Sequence, residues 1–285
     1  MKISTLKSNF IQAISKEYPS EEIQSFFSIL SEKYLGLSRL QIAMNLNTDV
    51  SETISEKFEN ATLRLKKHEP IQYIIGETEF YGLPFLVDEH TLIPRPETEE
   101  LVDWILSDAK TQDPTPKTLL DIGTGSGCIA ITLAKNCPEF KVSALDISQA
   151  ALQVAQKNSV AIGSKVQFLQ LDILATKMLP QNFDIIVSNP PYVRMLEKEL
   201  MQPNVLKYEP DSALFVNDEN PLVFYHKIAN LAENQLNNGG FLYFEINEYL
   251  TKDLVSLLKK MNFKNIEVRK DIFGKDRMIK CKKNE

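Results

Sequence analysis

From residue 118 to residue 281, short apolar runs rich in β-branched residues alternate with longer segments of helical period, and no other feature limits the possible folds of this chain so tightly. Strands are predicted at 118–122, 141–146, 166–169, 183–188 and 241–246, with helices at 128–136, 148–161, 222–237 and 250–261. A parallel return of the chain needs a long crossover, so the series implies a mostly parallel α/β sheet with helices on both faces. Two last runs, 266–269 and 277–281, are close enough for a hairpin and give the seven-stranded sheet one antiparallel edge. Open sheets of this kind bind ligands at the carboxyl ends of their strands, so the residues that follow each run are where chemistry is to be sought.

With 285 residues, 43% of them hydrophobic, the chain can bury one large core and a smaller second one. The smaller one is helical. Leu6, Phe10, Ile11 and Ile14 share one face, Ile23, Phe26, Phe27 and Leu30 another, and segments at 40–46 and 54–65 complete a bundle whose charges balance. Residues 1–70 thus form a helical domain, residues 71–93 a linker and residues 94–285 the α/β domain. In the linker, Tyr73-Ile74-Ile75 and Leu83-Pro84-Phe85-Leu86-Val87 flank a turn-rich centre and read as a β-hairpin. Beyond Pro94-Arg95-Pro96, a helix opens with Glu97, Thr98, Glu99 and Glu100, whose charges suit a helix N-terminus.

A formal net charge of −6 argues against a broad basic face for nucleic acid. No apolar run approaches the ~18 residues of a membrane helix, and Lys2, Lys7, Lys16 and Glu17 interrupt anything like a secretory leader. Cys128, Cys137 and Cys281 have no metal-ligand spacing and read as reduced thiols of a cytoplasmic protein. His68, His90 and His226 are scattered, so neither a metal centre nor a histidine triad is expected, and each reads as a surface or packing residue.

Four strand ends carry polar signals. The first opens into Gly123-Thr124-Gly125-Ser126-Gly127, a glycine loop that lets a ligand approach backbone. Cys128 stands where a dinucleotide fingerprint has its third glycine, which disfavours nicotinamide or flavin. Asp146, some twenty residues on, is placed to accept from ribose hydroxyls, or else to cap the next helix, and Asp172 is placed to accept from an adenine amino group. The fourth strand ends in Asn189-Pro190-Pro191-Tyr192. The Asn189 side-chain oxygen and the Pro190 carbonyl are two acceptors one peptide apart, held stiff by the prolines, and Tyr192 adds a flat face. The set can grip a planar NH2 group; taken alone, it can also be a proline-rich turn.

The loop from Asp121 to Gly127 with Asp146, followed by Asn189-Pro190-Pro191-Tyr192, resembles the S-adenosylmethionine-dependent methyltransferases that act on planar nitrogens. Further motifs closely resemble the peptide chain release factor glutamine methyltransferases: Glu69-Pro70-Ile71-Gln72, Glu79-Phe80-Tyr81-Gly82, Leu92-Ile93-Pro94-Arg95-Pro96-Glu97-Thr98-Glu99, Tyr208-Glu209-Pro210 and Lys270-Asp271 with Gly274-Lys275-Asp276-Arg277. The resemblance implies a Rossmann-like class I methyltransferase fold that uses S-adenosylmethionine and releases S-adenosylhomocysteine. It implies that Gly123, Thr124, Gly125, Ser126, Gly127, Asp146, Asp172, Ile173 and Asn189 surround the cofactor, Ile173 standing where an aromatic residue is common. Asn189, Pro190, Pro191 and Tyr192 would hold the substrate, with Asn189, Pro190 and Tyr192 catalytic. The implied substrate is the glutamine of the Gly-Gly-Gln loop in release factors, docked by the N-terminal domain of a cytoplasmic monomer with no stable nucleic-acid or membrane partner. Arg95 and Glu97 either order the cofactor's amino-acid end or merely start a helix, and Glu245 is either at the site's edge or structural. Competing readings are an adenine amino-methyltransferase acting on DNA or RNA, and a non-catalytic S-adenosylmethionine-binding protein.

Overall fold

The structure, a computed structural model, describes residues 1–111 and 117–284. Its Cα positions fall into two compact units, one of Met1–Gly76 with Gln202–Tyr208, the other of Glu77–Met201 with Glu209–Glu285.

The first unit is helical: α1 (Ile3–Ile14), α2 (Ser20–Leu35), α3 (Arg39–Met44), α4 (Glu52–Leu65) and α5 (Ile71–Ile75), joined by a short helix at Pro203–Tyr208. Ile3, Leu6, Phe10 and Ile14 recur every three or four residues and are buried, as one face of an amphipathic helix must be. Phe10 and Phe27 meet at 5.7 Å between ring centroids and Phe27 and Phe58 at 5.4 Å, tying α1, α2 and α4 at the centre. The strand expected at Tyr73-Ile74-Ile75 is corrected here: these residues lie in α5. The Arg64 guanidinium, paired with Glu69, donates to the carbonyls of Tyr73 and Ile74, while Ile71 and Ile74 are buried in the bundle core. Tertiary contacts there override the β preference of paired isoleucines.

The hairpin instead pairs β1 (Glu77–Phe80) with β2 (Leu83–Leu86). Tyr81 and Gly82 both have positive φ, as a two-residue primed turn requires. Then follow α6 (Pro96–Thr111), β3 (Thr118–Ile122), α7 (Cys128–Asn136), β4 (Lys141–Asp146), α8 (Gln149–Ile162), β5 (Val166–Gln170), β6 (Phe183–Ser188), β7 (Val193–Arg194), α9 (Pro203–Tyr208, within the helical unit), α10 (Asp211–Leu214), β8 (Phe215–Val216), α11 (Val223–Gln235), β9 (Leu236–Glu245), α12 (Thr251–Lys260), β10 (Lys264–Lys270) and β11 (Asp276–Lys282). The main sheet has seven strands in the order β10-β11-β9-β6-β3-β4-β5. Its β9, β6, β3, β4 and β5 are parallel and the β10–β11 hairpin forms the antiparallel edge.

Alternate residues of each strand enter opposite cores. Leu119, Val142, Ile185 and Tyr243 pack with α6 and α7 on one face, and Leu120, Leu145, Ile186 and Phe244 pack with α11 and α12 on the other. Strand β9 starts earlier than the sequence indicates, at Leu236, and absorbs Asn237 to Gly240 as an irregularity in its pairing with β6, with Gly239 at φ 75°. Among the described residues no helix is long and apolar enough to cross a membrane. From β3 the chain runs outward through β4 and β5, then returns to β6 on β3's other side, so the ends of β3 and β6 flank the switch point of the sheet.

Candidate active site

A cavity of about 360 Å³ opens at that switch point, within the range of small-molecule sites. Its wall includes Gly123, Thr124 and Ser126 after β3, Asp146 after β4, Asp172 and Ile173 after β5, and Asn189, Pro190 and Pro191 after β6. Four stretches far apart in sequence therefore converge because their strands are neighbours and their carboxyl ends point the same way. Gly125, Gly127 and Tyr192 are not brought into the wall, whereas His90, read from sequence as a surface or packing residue, is.

The glycine loop is tied to β4. Gly123 and Thr124 donate their N–H groups to the Leu145 carbonyl, and the Gly125 N–H donates to Asp146 Oδ2 at 2.9 Å. Gly123 has a φ of 75°, and a Cβ built there meets nothing within 4 Å, so bare backbone fronts open space. Gly127 serves helix packing instead. A Cβ there would come within 2.6 Å of Ile131 Cδ1 and 3.1 Å of Ala155 Cβ, so its missing side chain lets α7 and α8 approach. Beneath the loop the buried Asp121 accepts from the Thr124 hydroxyl at 2.6 Å, and burial pushes its carboxyl up to about 7.

Asp146 both braces the loop and faces the cavity. Its Oδ1 accepts from Ser148 N–H at 2.9 Å, while Ser148 itself caps α8 through its bond from Ala151 N–H. Each carboxylate oxygen keeps a lone pair for a ligand hydroxyl. Burial pushes this carboxyl up, opposed by the backbone N–H bonds of Ser148, Gly125 and Ile147. The Asp172 carboxylate accepts from Leu174 N–H at 2.8 Å. Cys128 also lines the cavity, but burial raises its thiol to about 12, which leaves no thiolate nucleophile at neutral pH.

At the other end Asn189 Nδ2 donates to Thr98 Oγ1 at 3.3 Å, the Thr98 hydroxyl donates to Glu245 Oε2 at 2.6 Å, and the Tyr192 hydroxyl donates to Glu245 Oε1 at 2.8 Å. Glu245 is 1% exposed and ends β9, so it belongs to the site's supporting edge. Burial, then the Glu245 charge, hold the Tyr192 phenol well above its ordinary value, and its half-buried ring packs against the α11 side of the sheet. Arg95 lines the cavity and is paired with the buried Glu209, whose second oxygen accepts from Ile93 N–H at 3.1 Å. Glu97 sits in the first turn of α6.

The PrmC N-terminal domain model matches residues 9–76 and the Methyltransferase small domain model residues 103–207. A release factor glutamine methyltransferase from Flavobacterium psychrophilum is 51% identical over 281 residues, covering 98% of this chain and 99% of its own. The chain belongs to the release factor glutamine methyltransferases. Its counterpart from Bacteroides thetaiotaomicron is 45% identical over 94% of this chain and 95% of its own. The crystal structure of a methyltransferase from Pyrococcus furiosus shares the fold, with a TM-score of 0.53 and 19% identity over 80% of this chain and all of that one. Membership of the release factor glutamine methyltransferases weighs against the nucleic-acid and non-catalytic readings. The geometry adds two residues of this methyltransferase to which sequence reasoning gave no role in the site, Thr98 and Glu209. Both stand inside the motifs that carry the resemblance, but Thr98 reads there as part of a helix start, and Glu209 acts on Ile93 and Arg95 across a separation no periodicity reveals.

Proposed function

We propose that this enzyme transfers a methyl group from S-adenosylmethionine to the side-chain amide nitrogen of the Gly-Gly-Gln glutamine in peptide chain release factors, with Asn189 and Pro190 as the grip. The observation that carries this is the meeting of Asn189 and Pro190 with the glycine loop and Asp146 in one cavity. The donor set fits the cofactor. Asp146 has lone pairs for ribose hydroxyls, Asp172 is an acceptor for an amino group, Ile173 supplies apolar surface, and Gly123 and Thr124 offer a side-chain-free approach. Arg95 stands in the same wall for a carboxylate.

When bound, S-adenosylmethionine supplies a methyl group made electrophilic by its sulfonium centre. An amide nitrogen is a poor nucleophile because its lone pair is delocalised, the resonance that sustains a barrier of ~18–20 kcal/mol in the peptide bond. Asn189 Oδ1 and the Pro190 carbonyl accept its two N–H bonds, which aims the lone pair along one direction; positioning of this kind is worth up to ~7–11 kcal/mol. The same acceptors favour the positive charge that develops on nitrogen, by analogy with oxyanion-hole donors worth ~2.7–4 kcal/mol each. Pro191 stiffens the strand end, Tyr192 supports it from outside the wall through its bond to Glu245, and the surplus amide proton leaves to water. Residues 1–70 are assigned to docking the factor, and the enzyme acts as a cytoplasmic monomer.

Labelled methyl transfer to a purified bacterial release factor, beside its Gly-Gly-Gln to Gly-Gly-Ala variant and an adenine-containing oligonucleotide, tests the reading. Label on the intact factor alone is expected; label on the oligonucleotide alone overturns the substrate. Asn189→Ala should abolish turnover while largely sparing S-adenosylhomocysteine binding. Equal loss of both would make Asn189 a cofactor ligand instead.

A further inference from the structure

We propose that Thr98 and Glu245 determine which way round the Asn189 amide is held, and so make its oxygen, not its NH2, the group offered to the substrate. This rests on the glutamine-methylating reading. A side-chain amide is nearly symmetric in shape, and a half-turn about its last bond exchanges an acceptor for two donors. Only one of the two orientations can take an N–H bond from a substrate amide. Something must choose it before the substrate arrives.

The choice follows from counting hydrogens along the chain of contacts. In its ionised form the Glu245 carboxylate only accepts, and both hydroxyls that meet it donate to it. The Thr98 hydroxyl has one hydrogen, and its 2.6 Å contact to Glu245 Oε2 has the length of a charge-assisted bond. That hydrogen is therefore committed to Glu245, and Thr98 Oγ1 can only accept from its other neighbour. Asn189 Nδ2, 3.3 Å away, is that neighbour. A flipped Asn189 would set its oxygen against the Thr98 oxygen with no hydrogen between them. The second oxygen of Glu245 is occupied by the Tyr192 hydroxyl at 2.8 Å, so the carboxylate is held at both ends. Thr98 and Glu245 are 2% and 1% exposed, which keeps water from supplying an alternative donor. Direction thus passes from a buried charge at the end of β9, through a hydroxyl on α6, to an amide at the end of β6. Thr98 and Glu245 are positioning residues: they act through Asn189.

The full-length enzyme, assayed on intact release factor, tests this with three variants. Thr98→Val keeps the shape and removes the hydroxyl; Thr98→Ser restores it; Glu245→Gln keeps the shape but can donate to Thr98, freeing the Thr98 hydrogen for the wrong atom of Asn189. Thr98→Val and Glu245→Gln are expected to lower kcat by about tenfold or more, the scale of one lost buried hydrogen bond. Thr98→Ser should recover most of the rate, and S-adenosylhomocysteine affinity measured by calorimetry should stay at the wild-type value in all three. Wild-type kcat in Thr98→Val or in Glu245→Gln overturns the proposal, as does a Thr98→Ser enzyme no better than Thr98→Val, or a loss matched by weakened cofactor binding. Should Thr98→Val not fold, the Glu245→Gln and Thr98→Ser enzymes carry the same decision. Failure of the wild-type enzyme to label the factor would instead sink the substrate reading.

Discussion

Glu245 is where two opposing effects on one carboxyl are visible. Burial pushes it up and Glu97 adds to the rise, while the hydroxyls of Thr98 and Tyr192 and the Arg277 charge pull it back; the net is above the ordinary value for a glutamate. If the directed chain to Asn189 needs the ionised form, kcat is full above the Glu245 pKa and is lost as pH falls through it, at a pH above the ~4.3 of a free glutamate. Tyr192→Phe removes one of the bonds that favour ionisation, so its acid limb should move to higher pH. On the plateau it should keep more activity than Tyr192→Ala, which also loses the ring. Measured pH profiles of the three enzymes decide this, and a limb that stays in place would uncouple Tyr192 from Glu245. At this scale the sequence was legible where chemistry is local. Asp146, Asp172 and Asn189 announce themselves as polar residues at strand ends, and all three line the cavity. Thr98 does not, because what it does depends on a carboxylate brought to it from the far end of the chain.

Strand β6 shows how single side chains set the register on which the site depends. Asp184 accepts from the Thr118 N–H at 2.7 Å and hydroxyl at 2.9 Å and from Asn237 Nδ2 at 2.7 Å, joining β6 to β3 and to the irregular stretch of β9. Burial pushes its carboxyl up, but these bonds outweigh it and the net lies below the ordinary carboxylate range. The stabilisation is therefore present above the ~3.9 of a free aspartate and is lost as pH falls through the lower folded value. Asp184→Asn should cost ~1–2 kcal/mol at neutral pH, with the gap narrowing in acid; urea denaturation at both pH values measures it, and a constant gap would refute the linkage. Gly127→Ala forces a Cβ against Ile131 at a φ of 84°. It should destabilise by about 2 kcal/mol through strain and overpacking, and an unchanged melting temperature would show that α7 and α8 yield more easily than their packing indicates. Elements with strong period were readable: six of the seven strands of the main sheet stand within two residues of the apolar runs that mark them, whereas β9 starts at Leu236, inside the stretch expected to be helix. Those decided by contact were not. Ile74 and Ile75 are helical because Pro70 precedes α5, Gly76 ends it and Arg64 holds its carbonyls, and the short pieces between Val193 and Val216 carry too few residues for any period to show.

Over the whole chain, the division of labour between units is itself testable. Leu40 and Met44, four residues apart on α3, are 71% and 77% exposed, an unusual outlay of apolar surface on a short helix. If the helical unit docks the release factor, the paired change Leu40→Ser with Met44→Ser should raise KM for the intact factor and leave kcat and S-adenosylhomocysteine affinity alone. A changed kcat, or an unchanged KM, would remove α3 from that role. No pattern in the sequence marks the detour by which Gln202–Tyr208 rejoins the helical unit, where Lys207 Nζ and the Tyr208 hydroxyl donate to the Lys67 carbonyl. That detour makes the chain pass between units at Gly76/Glu77, at Met201/Gln202 and at Tyr208/Glu209. The helical unit is consequently not a detachable module. A protease that cuts only after Gly76 leaves Met1–Gly76 packed with Gln202–Tyr208, which the chain still joins at both ends to the α/β unit, and an engineer who wishes to graft the helical unit onto a different methyltransferase must transplant that heptapeptide as well.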